Sequence, residues 1–90
     1  MNVDRWRIDE VLKQENTYKY QILDRLRIDC EHYLSYGGKQ RTRLWSLNEK
    51  EHIENMKKLY NSFSDAEKPQ WITWEQILRY EKRMLRSGAL

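Results

Sequence analysis

The sequence has one proline, three glycines and one cysteine in ninety residues. So few turn-forming residues leave little room for a hairpin-rich β fold. The single Cys30 excludes an internal disulfide and suits a reducing compartment. No apolar run approaches the roughly 20 residues that a membrane-spanning helix needs. The opening Met1-Asn2-Val3-Asp4-Arg5-Trp6 has no apolar core of a signal peptide, so a cytoplasmic location is expected. An excess of acid is missing as well. The net charge is +3, the wrong sign for a protein that imitates nucleic-acid phosphates. Also missing are a glycine-rich phosphate loop, a nucleophile elbow and a dinucleotide fingerprint. A non-enzymatic protein without a cofactor is the expectation.

Aromatic residues make up 12% of the chain, which argues for a packed core and against disorder. Ninety residues form a single domain over 1–90, burying about 60–65% of the unfolded surface. The stretch Lys68-Pro69-Gln70-Trp71-Ile72-Thr73-Trp74-Glu75-Gln76 organises the rest. Pro69 stops what precedes it. Trp71 and Trp74 need a wall to pack on. Thr73 with Gln76 three residues later fits a capping box, and Glu75 suits the first turn of a helix.

Four helices are expected. The first covers 4–16, with Asp4 as a cap and Ile8, Val11 and Leu12 on its apolar side. The second covers 18–35, with Thr17 as a cap and Gly37-Gly38 as its stop. Its inner face is Ile22, Leu23, Leu26, Cys30, Tyr33 and Leu34, while Asp24, Arg25, Arg27, Asp29 and Glu31 fall mostly on the other side. A loop over 37–47 is pinned to the core by Leu44-Trp45. Asn48 with Glu51 starts a third helix, 49–63, which presents Ile53, Met56, Leu59, Tyr60 and Phe63. A single turn at 64–67 precedes Pro69. The last helix covers 74–86, with Trp74, Ile77, Leu78, Met84 and Leu85 inside and Gly88 as its stop. Unequal helices and a long loop predict an all-α domain: a compact irregular bundle of about four helices packed around the longest one.

Candidate chemistry is sparse. Cys30 and His32 lie two apart on a helix and so point to different sides, and Cys30 falls on the apolar face. No spacing of His52, His32 and Cys30 matches a zinc site. Glu81 reads as an ion-pair partner. Lys39, Arg41 and Arg43 form an acid-free basic loop that could meet phosphate, with Tyr36 and Trp45 as stacking partners, although a solvated loop commonly has this composition. Trp45, Trp71 and Trp74 could anchor a partner, but core packing is expected for at least two of them. Trp6 precedes the apolar stripe of its helix and is the better candidate for a partner contact.

Taken together, Asp29-Cys30, Tyr33-Leu34, Gly37, Leu44-Trp45, Ile53, Met56, Leu59-Tyr60, Lys68-Pro69, Trp71, Thr73-Trp74-Glu75, Ile77, Tyr80-Glu81 and Met84 carry a resemblance. The chain resembles the large polyvalent protein associated domains, eleventh type, over roughly residues 18–84; the core is expected over 18–86, with 1–17 outside the match. The resemblance implies a setting on phages and other bacterial mobile elements, with no established reaction and no catalytic residue to carry over. Small stand-alone proteins of that setting often bind one host protein, and many blunt host defence. By analogy, the chain is expected to be a stoichiometric inhibitor of a host protein such as a defence nuclease, in the manner of an anti-CRISPR protein. Trp6 and the acids Asp24, Glu31, Glu49, Glu51 and Glu54 are its expected contacts, the acids facing a basic groove of the target. The alternative is a nucleic-acid-binding accessory protein using Lys39, Arg41 and Arg43. A third reading is a structural domain that folds with a larger partner or with itself.

Overall fold

A computed structural model describes residues 7–35 and 41–89, with the side chains of residues 46 and 86–89 left aside. Among the described residues there are four α-helices and no strand: α1 (Ile8–Leu12), α2 (Asn16–Ser35), α3 (Glu49–Ser62) and α4 (Trp74–Ala89). Two 3-10 turns, Trp45–Leu47 and Asp65–Glu67, lead into α3 and out of it. The Cα radius of gyration of 12.6 Å matches the roughly 12 Å of a packed chain of this length.

Several boundaries differ from the sequence reading. α1 is only Ile8–Leu12, because Lys13 closes it with its amide on the Glu10 carbonyl. The expected cap Asp4 lies outside the described residues. α2 starts at Asn16, so Thr17 is inside the helix and not its cap. The expected stop Gly37-Gly38 is also outside the described residues. α4 runs through Gly88 to Ala89; a glycine in a last turn costs the helix only about 1 kcal/mol.

The two central caps form as the sequence indicates. The Asn48 side chain accepts the Glu51 amide at 2.9 Å, and the Thr73 hydroxyl accepts the Gln76 amide at 3.1 Å. The second half of the capping box is not made, since the Gln76 side chain bonds the Tyr80 hydroxyl instead.

The core joins Leu23, Leu26 and Cys30 of α2, Ile53, Met56 and Leu59 of α3, and Ile77 and Met84 of α4. Both α2 and α3 touch every other helix, but the densest packing is between α3 and α4. The hub is therefore α3, not the longest helix. Leu44 and Trp45 are buried, so the loop before α3 is pinned as its apolar pair suggests. Leu78, expected inside α4, is 38% exposed.

Lys19, Asp29, His52 and Asn55 are buried although polar, and His52 and Asp29 are the most deeply enclosed of them. His52 is fully buried between α2 and the first 3-10 turn. Its Nδ1 accepts the Trp45 amide at 2.9 Å, so the proton sits on Nε2, which donates to the Leu26 carbonyl at 3.0 Å. Asp29, expected on the outer side of α2, is buried and ion-paired with Arg43 at 3.0 Å and Arg25 at 3.8 Å.

Candidate partner-binding face

The segment after the second 3-10 turn runs through Pro69 with bends at Lys68, Gln70 and Trp71 before α4 begins. Ile72 takes the inward position and is 1% exposed. Trp71 takes the outward one and remains 43% exposed, although tryptophan is the largest apolar side chain available. Its ring lies along the outer edge of α2. The Arg27 guanidinium sits 5.8 Å from the Trp71 ring centroid and is held there by Asp24, whose Oδ1 accepts from Arg27 Nε at 3.0 Å and Nη2 at 2.8 Å.

Trp71, Tyr20, Gln21 and Asp24 line an open groove of about 360 Å³. Tyr20 is fixed there by stacking on Phe63, with ring centroids 4.6 Å apart, and by its hydroxyl, which donates to the Glu67 carbonyl. One and two turns along α2 from Asp24 stand Ile28, 41% exposed, and Glu31. Glu31 accepts the Tyr80 hydroxyl at 2.5 Å and thereby ties α2 to α4. Burial first, and then Glu31, push the Tyr80 hydroxyl up to about 12.

Of the residues singled out as partner contacts, Asp24 and Glu31 share this face of α2. Glu51 and Glu54 lie elsewhere, beside a second hollow of about 300 Å³ that they share with Lys50 and Lys58. Glu49 is taken up within the fold, where its Oε2 accepts the Tyr33 hydroxyl at 2.7 Å and Arg41 Nε at 2.9 Å. Burial works against the Glu49 charge, but the Tyr33 and Arg41 hydrogen bonds outweigh it and hold the carboxyl below its ordinary value. Trp6 and Lys39 lie outside the described residues. Arg41 thus faces Glu49 and Arg43 faces Asp29, so both described cations of the basic loop are matched by acids of the fold.

Cys30 is fully buried, with its sulfur 3.5 Å from that of Met56. Burial, then Asp29 and Glu31, push its thiol up, so at neutral pH it is a small apolar group and not a nucleophile. Among the described residues, no three of His, Cys, Asp and Glu converge as metal ligands would. No helix of the described residues is long and apolar enough to cross a membrane.

A family model described as large polyvalent protein-associated domain 11 matches residues 16–84. The chain belongs to this family. The matched span of this large polyvalent protein-associated domain begins at the first residue of α2 and ends inside α4, so it contains Trp71 and the whole groove. Comparison with curated proteins and with solved structures returns no match.

Sequence reasoning named Trp71 and Asp24 separately, and nothing in it joined them. The missed signal is Ile72. Ile72 takes the core place in this segment, and its neighbour Trp71 is left outside.

Proposed function

We propose that this large polyvalent protein-associated domain is a small non-enzymatic protein-binding module of a phage or other mobile genetic element. It acts in the cytoplasm of a bacterial host as a stoichiometric inhibitor of a host protein, such as a defence nuclease, by covering a functional surface of it. The observation that carries the reading is the exposed Trp71, held beside Arg27 and Tyr20. Tryptophan, tyrosine and arginine are the residue types that dominate binding energy at protein interfaces. Asp24 and Glu31 on the same face suit a target whose own surface is basic, as that of a nucleic-acid enzyme is. The nucleic-acid reading has less support, since Arg41 and Arg43 are matched by Glu49 and Asp29.

The test is a tagged pull-down from bacterial lysate, split into nuclease-treated and untreated halves. A discrete protein retained at the same level in both halves is the expected result. Loss of all bound material after nuclease treatment would move the function to nucleic acid.

A further inference from the structure

We infer that the groove between Trp71 and α2 receives a guanidinium group, an arginine presented on a basic segment of the partner protein. This rests on the docking reading above and names the chemistry of that partner.

The molecule already makes this contact with itself. Arg27 bonds the Asp24 carboxylate through two nitrogens while lying over the Trp71 ring. Asp24 and Trp71 are thus spaced so that one planar cation meets both. Arg27 uses Oδ1 of Asp24, and the Asp24 side chain is still 45% exposed. The groove beside it has room for a second side chain, about 360 Å³ between the Trp71 and Tyr20 rings. Arginine suits an aromatic and carboxylate pair better than lysine does, because its flat, weakly hydrated head stacks and forks at once.

The charge around the groove has the matching sign, although the chain as a whole is +3. Asp24 is in its wall. The acidic turn Asp65–Glu67 is joined to Tyr20 through the Glu67 carbonyl. Glu31 continues the face along α2. Of the nearby cations, Arg27 is held by Asp24, Lys68 by the Phe63 carbonyl at 2.7 Å and Asp65 at 3.5 Å, and Lys19 is buried behind Tyr20, over the Phe63 ring and on the Ser62 hydroxyl. An incoming arginine therefore meets a surface with acid to spare.

The probes are an acetylated tetra-arginine peptide, its lysine counterpart and its citrulline counterpart, which keeps the shape without the charge. Each is titrated into the ¹⁵N-labelled full chain by NMR. The arginine peptide should give saturable shifts of the Trp71 indole N–H and of the backbone amides of residues 20–27. Binding should weaken about tenfold with lysine and vanish with citrulline. Asp24→Asn and Trp71→Leu should each weaken it by about tenfold or more, and both side chains are exposed enough for the variants to fold, as the same spectra report. Equal binding of lysine would overturn the inference, reducing the site to general charge attraction. Shifts centred on Glu51 and Glu54 would also overturn it, as would concentration-dependent shifts without peptide, which mark a second copy of the chain as the occupant. If arginine gives no response while a host protein is still retained through Trp71, this inference falls and the docking reading stands.

Discussion

His52 accepts the backbone N–H of Trp45 on its Nδ1, seven residues back along the chain, at 2.9 Å. That bond is possible only while Nδ1 carries no proton. Burial holds the His52 imidazole down to about 4, partly offset by its hydrogen bond to the Leu26 carbonyl. The neutral ring thus locks the first 3-10 turn onto α2 and α3.

The pH dependence follows from this. The unfolded chain takes up the His52 proton near pH 6.5, while the folded chain resists it until about pH 4. The stabilisation is complete above pH 6.5 and is lost as pH falls through that window, by roughly 3 kcal/mol in total. Asp29 acts with the opposite sign: burial raises its carboxyl against the pull of Arg43 and Arg25, which favours the folded state as acid is added. Urea melts at pH 7 and pH 4.5 should show lower stability at the acid end, and His52→Asn should flatten the difference. An equal pH slope in that variant would place the titration elsewhere.

The buried ion pair predicts an asymmetry between its two partners. Arg43→Ala leaves the Asp29 carboxylate buried with its nearer counter-charge gone and Arg25 3.8 Å away. A loss of about 3 kcal/mol is expected. Asp29→Asn removes the buried charge instead and leaves Arg43 partly in water, so it should cost under about 1 kcal/mol. Adding Asp29→Asn to Arg43→Ala should recover most of the loss. Chemical denaturation of the three variants measures the cycle; equal costs for the two single changes would contradict it.

Leu47 has φ of 55°, in the left-handed region that suits glycine, and its side chain gains little there because it is 51% exposed. Leu47→Gly should raise stability by about 0.5–1 kcal/mol. For a domain of this size, that is a rise of several degrees in Tm by calorimetry. An unchanged or lower Tm would mean that the Leu47 contacts outweigh its backbone strain.

The caps give a simpler pair of expectations. Asn48→Ala and Thr73→Ala each remove a side-chain acceptor from a helix start, at 2.9 and 3.1 Å respectively. Each should cost about 1 kcal/mol, measurable by urea unfolding. The two losses should add, because the caps belong to different helices and share no partner.

The all-α class, α3 and its cap, the buried Leu44-Trp45 pair and the single turn before Pro69 were all legible, because each follows from local spacing and side-chain chemistry. The burial of Asp29 was not. It stands seven residues after Ile22, three after Leu26 and four before Tyr33, on the apolar stripe of α2, but its charge argued for the outside until Arg43 returns from a loop to meet it. His52 was hidden for the same cause, since its two partners are backbone groups of other segments. The candidate face was half legible. Trp71 stood out as a residue needing a surface, while its exposure depends on Ile72 filling the core place first. The partner itself has no trace in local spacing, because recognition lies in a surface assembled from α2 and the segment after α3.

Docking through Trp71 is tested by comparing retention of host proteins by the tagged wild-type chain, Trp71→Ala, and Lys39→Ala combined with Arg41→Ala, all in nuclease-treated lysate. One host protein should be retained at a near-equimolar ratio on the wild type, depleted about tenfold or more by Trp71→Ala and unchanged by the loop variant. Retention unaffected by Trp71→Ala, or lost only in the loop variant, would contradict it.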